Sequence, residues 1–211
     1  MTSVVTPSEN SITAGQIGKV CDLLTPALRK SGLQNEPTQQ VIEHQGDALV
    51  ADMVAVVRKR VEAISNLIVR HAIGNRNHTP EEALKATGRR QYVTDSVVKT
   101  MPRGATAEAD VYFFKPDKSA YDKDGLINDD NLAKEYELRG LKPADPYLLA
   151  AVNEADPAFA DDHPNGTHWK DKDGKWCYAA FYRWYDDERR VLVDRYDDVW
   201  GDYWWFAGVR K

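Results

Sequence analysis

Aromatic residues are missing from the first 91 positions of the chain, whereas the last 43 positions hold all six tryptophans. No apolar run approaches the roughly 18 residues needed to cross a bilayer, which excludes a membrane span. Residues 1–13 carry neither the basic nor the apolar segment of a secretory signal. We therefore expect a cytoplasmic protein, with surface or virion display left open. The uneven aromatic content indicates two modules of different construction.

Cysteine is scarce, because the 211 residues include only Cys21 and Cys177. Their separation matches no zinc or redox motif, which excludes a disulfide framework and a cysteine-rich metal site. The histidines form no His-x-x-x-His pair, and no glycine-rich phosphate loop follows a strand. Only His168 has an acid–base neighbourhood, beside aspartates between positions 161 and 171, and a structural hydrogen bond is the commoner role of such a histidine. We predict no catalytic residue, no metal and no cofactor.

The second half of the chain lacks enough positive charge to balance its acidic residues. Residues 106–211 carry 15 Lys and Arg against 23 Asp and Glu, a net −8, while residues 1–105 carry 13 against 10, a net +3. An acidic half argues against nucleic acid as a partner, since binding to phosphates needs clustered cations. The acidic stretch Asp122-Lys-Asp124-Gly125 resembles the middle of a calcium loop. Its first and twelfth ligand positions fall on Ala120 and Asn131, which favours a surface turn.

Helical spacing of apolar residues dominates the N-terminal part. It runs from Ile17 to Leu28, and again after Pro37 from Val41 to about His71, which predicts a long amphipathic helix of about ten turns. One short neighbour cannot bury so long an aliphatic face. This favours a homo-oligomer formed through the N-terminal helices, and a hairpin packed on the first helix is the alternative. A further helix start is predicted at Thr79-Pro80-Glu81-Glu82.

Turn residues at Pro102-Arg103-Gly104 predict the boundary between a helical module, residues 1–104, and a second domain, residues 105–211. The second domain begins with a strand at 111–114, continues with helices at 132–138 and 147–153, and ends with strand patterns at 176–183, 191–195 and 203–209. We therefore predict an α+β chain that closes with a three-stranded antiparallel meander. The tryptophans expected to be buried are Trp169, Trp176, Trp200 and Trp205.

The segment 182–204 has an unusual composition, since ten of its 23 residues are Asp or Tyr and none is Lys. Asp is disfavoured in strands, whereas Tyr beside small polar residues is typical of binding surfaces. A solvated acidic hairpin with cross-strand aromatic pairs is the alternative. A period of two places Val191 and Val193 in the core and their neighbours on the other face. The predicted ligand-binding residues are Tyr182, Tyr185, Asp186, Leu192, Asp194, Tyr196, Asp197, Asp202 and Tyr203.

The C-terminal strands carry a resemblance to a known family. Trp176-Cys-Tyr-Ala-Ala-Phe181, then Val191-Leu-Val-Asp194, then Trp204-Trp-Phe-Ala-Gly-Val-Arg210 resemble the closing strands of the C-type-lectin-like variable proteins of bacterial diversity-generating retroelements. The resemblance covers roughly the last 40 residues closely. It implies a C-type-lectin-like fold in residues 105–211 and a C-terminal segment that an error-prone reverse transcriptase rewrites at template adenines. Asparagine codons changed in this way become Tyr and Asp codons, which would account for the excess of both.

The resemblance implies a non-catalytic binding protein whose partner is a protein or another macromolecule. The N-terminal helical module and the lack of the disulfides of secreted lectins depart from the family pattern. Two rivals stay open. One is a structural or scaffold protein with one fixed partner. The other is an enzyme on a formylglycine-generating-like fold, which would need a reactive cysteine, and Cys177 is the only cysteine in that domain.

Overall fold

The computed structural model describes residues 12–195 and 199–211, so the predicted site residues Tyr196 and Asp197 lie outside the described part of the chain. The described residues form a mixed α+β protein, with helices at the N-terminus and a sheet that continues to the C-terminus. Two compact units divide between Arg60 and Val61. Among the described residues, no helix is long and apolar enough to cross a membrane.

The first unit contains helix α1 (Ala14–Lys30) and most of helix α2 (Asn35–Ser65). Thr13 and Gln16 start α1 as a capping box, in which the side chain of each residue accepts from the backbone N–H of the other. None of the residues of α1 is buried. Gln45 has a non-helical backbone (φ −133°, ψ 15°), so α2 consists of two helical stretches on either side of a kink at this residue.

The helix predicted from Pro37 to about His71 proves too long. The α2 helix ends at Ser65, Asn66 adopts a left-handed φ of 48°, and the chain continues as strand β1 (Leu67–Ile73). This strand pairs antiparallel along its whole length with strand β3 (Glu108–Phe114). Such long-range pairing overrides the local spacing, because β-branched residues suit a strand at least as well as a helix.

The second unit alternates short helices with strands. Its helices are α3 (Pro80–Ala86), α4 (Asp95–Val98), α5 (Asp129–Leu138), α6 (Pro146–Ala155) and α7 (Phe159–Asp162), with a 3-10 turn at Lys118–Ala120. Its other strands are β2 (Arg90–Val93), β4 (Leu126–Asn128), β5 (Leu141–Pro143), β6 (Asn165–Lys170), β7 (Trp176–Arg183), β8 (Arg189–Asp194), β9 (Val199–Gly201) and β10 (Trp205–Arg210). The predicted start of α3 is confirmed, since Thr79 and Glu82 form its capping box.

The main sheet has the order β1-β3-β10-β6-β7-β8-β2, with β5 also paired to β10. The predicted hairpin of β7 and β8 is antiparallel, but the predicted closing meander is wrong. The last strand, β10, pairs antiparallel with β3 and parallel with β6, in the middle of the sheet. Its residues Trp205, Phe206 and Ala207 are buried in succession, as expected of a strand covered on both faces.

The predicted boundary near residue 104 also needs correction, since the two compact units divide 44 residues earlier (104 − 60). Strand β1 forms one edge of the sheet through β3, and β2 forms the other edge by pairing parallel with β8. Both strands precede residue 104 and hydrogen-bond to strands that follow it. The turn at Pro102-Arg103-Gly104 is therefore a connection within one folded unit.

Each face of the sheet has its own apolar core. The first core includes Leu84, Val97, Phe113, Leu148, Phe181, Val191 and Val193. The second core includes Phe114, Ile127, Leu132, Tyr136, Tyr178, Trp200 and Phe206. The predicted alternation in β8 is confirmed, since Val191 and Val193 are fully buried while Leu192 and Asp194 are only half-buried. Trp169, Trp200 and Trp205 are buried as predicted, whereas Trp176 is half-buried.

Candidate functional site

A concave surface of about 510 Å³ opens on the side of the sheet that carries the second core. We call it the aromatic groove. Seven of its lining residues are aromatic, and they come from β7, from the turn after it and from the segment that leads into β10. Its lining residues are Pro164, Tyr178, Ala180, Tyr182, Arg183, Trp184, Tyr185, Leu192, Trp200, Tyr203 and Trp204.

The pairing of β7 with β8 sets the floor of the groove. Ala180 lies opposite Leu192, and Tyr182 lies opposite Arg190, so these side chains share one face of the hairpin. Residues of β7 and β8 that point the other way, such as Phe181 and Val191, are fully buried in the first core. Side chains of the groove can therefore change without altering that core.

Ring contacts hold the aromatic groove together, and they are edge-to-face except for the tilted pair of Tyr203 and Trp204. The ring centre of Trp204 lies 5.7 Å from Tyr182, 5.5 Å from Trp200 and 5.3 Å from Tyr203. On the other side, Tyr182 lies 5.8 Å from Trp184. Contacts of this kind favour fixed ring positions, so the surface is largely formed before a ligand arrives.

Charged residues at the rim are paired with one another. Arg190 donates to Asp186 and Glu188 at 2.7 Å each, and its guanidinium lies 5.0 Å from the ring centre of Trp184. Arg183 pairs with Asp187 at 3.0 Å. Burial raises the pKa of Tyr182 above the ordinary value of tyrosine, so its hydroxyl is protonated at neutral pH, as that of an ordinary tyrosine is.

The structure brings together four of the nine predicted ligand-binding residues. Tyr182, Tyr185, Leu192 and Tyr203 line the aromatic groove. The remaining described members lie outside its lining: Asp186 is paired with Arg190, Asp194 accepts from the backbone N–H of Arg195, and Asp202 is exposed.

Sequence reasoning missed Trp184 and Trp204, which contribute two of the seven rings. Both lie in the Asp- and Tyr-rich segment 182–204, but the interpretation of that segment rested on Asp and Tyr alone. A signal was present, because these are the two tryptophans that were not assigned to the core. Trp184 is 45% exposed, and Trp204 is half-buried.

His168 is buried, and its hydrogen-bond partner is Asp129, which is not one of the aspartates that the sequence suggested. Its Nδ1 atom lies 2.7 Å from Oδ1 of Asp129, which also accepts a hydrogen bond from the indole N–H of Trp200 at 3.1 Å. The imidazole stacks on Trp176 at 4.3 Å and is fully buried. This arrangement is a buried hydrogen-bonded cluster that joins β6, α5 and β9.

The other residues considered for metal binding or catalysis, in the Asp122 turn and at Cys177, take part in the local structure of the chain. The Asp122 carboxylate accepts from the backbone N–H groups of Asp124 and Leu126, as in an Asx turn. The Cys177 side chain lies in the first core with no exposed surface. Among residues 12–195 and 199–211, no group of three or more His, Cys, Asp and Glu could hold a metal ion.

No protein-family model matches the chain, and no curated protein and no solved structure matches it either.

Proposed function

We propose that this chain is a non-catalytic ligand-binding protein whose binding surface is the aromatic groove. The observation that carries the proposal is the exposure of large rings in the turns that follow β7 and precede β10. Tyr185 is 96% exposed, Tyr203 57% and Trp184 45%. A turn that only faces solvent needs no large rings, because polar residues would form it equally well. Rings offer a large contact area for little loss of rotamer entropy, which makes them effective on binding surfaces.

The ligand that suits this surface is a protein segment with apolar or cationic side chains. Aromatic faces attract Lys and Arg, and the arrangement of Arg190 over Trp184 shows such a contact already present in the chain. The exposed carboxylate of Asp202, which has no ion pair among the described residues, lies next in sequence to Tyr203 and would favour a cation in the ligand.

We further propose a C-type-lectin-like domain and a surface that varies, as in the variable proteins of diversity-generating retroelements. The supporting observation is the separation of roles in the hairpin of β7 and β8. One face, with Phe181 and Val191, belongs to the first core. The other face contributes Tyr178 and Ala180 to the second core, and its Tyr and Asp residues line or border the groove. A near-copy of the DNA for the C-terminus, differing only at adenines and lying beside a reverse-transcriptase gene, would support this proposal. An isolated gene without such a copy would contradict it.

The binding test uses peptides selected from a random display library on the purified full-length chain. Combined replacement of Trp184, Tyr185 and Tyr203 by Ser should abolish binding of the selected peptides, measured by surface plasmon resonance. The matched control replaces Ile73 and Leu138, two exposed apolar residues that do not line the groove, by Ser and should leave binding unchanged. Equal binding by both variants would contradict the proposal, and unfolding of the groove variant would assign its rings to the core.

Self-association through the N-terminal helices is the second part of the proposal. The described residues of α1 and α2 expose aliphatic side chains along both helices and bury none of them. Helices with this much uncovered apolar surface are stabilised by packing against another chain. The exposed large side chains of α2 are Val41, Ile42, Leu49, Val50, Met53, Val54, Val56, Val57, Val61 and Ile64.

Sedimentation velocity of the full chain at about 20 μM, which detects even weak association, should show a dimer or larger species. Leu49→Asp together with Val57→Asp should shift it to the monomer. Ala51→Asp is the matched control, because it adds a charge on the side of α2 that lacks large apolar residues. A full chain that sediments as a monomer would overturn this part.

A further inference from the structure

The charges of helix α2 are separated along its length. Before Met53 the helix carries four acidic residues and no Lys or Arg, and after Met53 it carries three consecutive basic residues, Arg58, Lys59 and Arg60. The single acid in the later part, Glu62, is already paired with Arg70 of β1. The four acidic residues are Glu36, Glu43, Asp47 and Asp52.

From this separation we infer that α2 packs antiparallel against α2 of a second copy of the chain, with the two-fold axis near Met53. The inference rests on the proposed self-association and adds its orientation. About Met53, the part of the helix after Gln45 carries large apolar residues at matching distances on either side. Leu49 would lie level with Val57 of the other copy, Val50 with Val56, and the Asp47 region with the region of Arg58 and Lys59.

The apolar residues that this antiparallel arrangement would bring together are exposed to solvent in the single chain. Leu49 is 40% exposed, Val57 39% and Met53 37%, so each has surface that the second copy would cover. The break at Gln45 limits the contact to the part of α2 that follows it. Two helices related by a two-fold axis contact each other through the same surface patch, so their association stops at the dimer.

The parallel arrangement is disfavoured by the same charges. In register, it would place the Asp47 and Asp52 region beside its own copy, and Arg58, Lys59 and Arg60 beside theirs. Like charges at the edges of a helix pair weaken it, and opposite charges there select the partner and its orientation. The antiparallel arrangement replaces both repulsions by attractions.

Disulfide crosslinking of the full chain distinguishes the two orientations. In a background of Cys21→Ser, which removes the exposed native cysteine, Leu49→Cys and Val57→Cys are made in separate chains, one with an affinity tag. Position 49 of one antiparallel copy lies about eight residues, or about 12 Å along the axis, from position 49 of the other. That distance exceeds the Cα separation of about 7 Å at which a disulfide can form.

We expect the co-expressed Leu49→Cys and Val57→Cys chains to form a mixed crosslinked dimer, and each variant alone to remain uncrosslinked under the same oxidation. Efficient crosslinking of each variant to itself would show a parallel pair and overturn the inference. A dimer in sedimentation that gives no disulfide in any combination would also overturn it, while leaving self-association intact. A monomer in sedimentation would overturn the self-association on which it rests.

Asp47→Lys with Asp52→Lys gives a second measurement that does not depend on crosslinking. In the antiparallel pair these lysines would add positive charge beside the half of the other copy that carries Arg58 and Lys59, so the dissociation constant should rise at least tenfold. Adding Arg58→Glu and Lys59→Glu in the same chain should restore it. A parallel pair would show neither the loss nor the rescue, because both changes keep like charges together.

Discussion

At the scale of single residues, the buried cluster around Asp129 depends on one carboxylate oxygen. One carboxylate oxygen serves two partners, the His168 imidazole at 2.7 Å and the Trp200 indole at 3.1 Å. Both partners are buried, so neither could turn to water if the carboxylate were removed. The second partner, Trp200, also contacts Trp204 of the aromatic groove, so this cluster supports the floor of the groove.

Asp129→Ala should lower the free energy of unfolding by about 3 kcal/mol, because it leaves two buried donors without an acceptor. The measurement is urea unfolding followed by tryptophan fluorescence. Asp130→Ala is the matched control on the same helical turn. Its side chain is 76% exposed, and we expect a loss below about 1 kcal/mol. Equal losses in the two variants would show that burial of Asp129 has no energetic role.

At the scale of secondary-structure elements, Glu188 connects the hairpin of β7 and β8 to the edge strand β2. Its carboxylate accepts from Arg90 at 2.7 Å and from Tyr92 at 3.1 Å, both in β2, and from Arg190 at 2.7 Å. The hydrogen bond from Arg90 lowers the pKa of Glu188, against the opposing effect of burial, and those from Arg190 and Tyr92 lower it further.

A carboxyl group whose pKa is lower in the folded chain stabilises it above the ordinary pKa of 4.5. This contribution is lost as the pH falls through the lowered value. The free energy of unfolding should therefore decrease on acidification, and Glu188→Gln should make that decrease smaller. Urea unfolding between about pH 6 and pH 3 measures the slope. Glu154→Gln, at an exposed carboxylate of α6, is the control, and an identical slope in both variants would contradict the prediction.

Local signals in the sequence predicted the elements whose structure is set locally. The capping box of Thr79 and Glu82 and the alternation around Val191 and Val193 depend on neighbouring residues, and both were found. Long-range pairing was not predictable in this way. From its sequence, β1 is predicted as a continuation of α2, because the spacing of its aliphatic residues fits a helix as well as a strand. Its pairing with β3 determines that it forms a strand. The place of β10 between β3 and β6 likewise depends on partners far away in sequence.

The groove was predicted in part for the same reason. The residues of β7 and β8 follow from the period of two, whereas Trp204 meets Tyr182 only because β10 enters the sheet beside β6 rather than beside β8. The composition of segment 182–204 indicated the part of the chain that contributes most of the residues lining the groove. It did not predict which residues of that segment would line the groove.

At the scale of the whole molecule, the division between Arg60 and Val61 has a consequence for truncated chains. The segment 61–104 supplies both edge strands of the sheet, and its α3 and α4 place Leu84, Val97 and Val98 in the first core with almost no exposed surface. Removal of this segment would expose that core and leave β3 and β8 unpaired on their outer edges. The N-terminal helices, in contrast, belong to a separate unit.

We therefore expect residues 61–211 to fold as a cooperative monomer and residues 105–211 to remain unfolded. Near-ultraviolet circular dichroism of the buried tryptophans should be native-like in the first fragment and absent in the second. Thermal unfolding should be a single transition only in the first. The first fragment should also sediment as a monomer, because it lacks most of α2, while the full chain should not. A folded 105–211 fragment would restore the boundary at Pro102-Arg103-Gly104, since the edge strands would then be dispensable for the core between them.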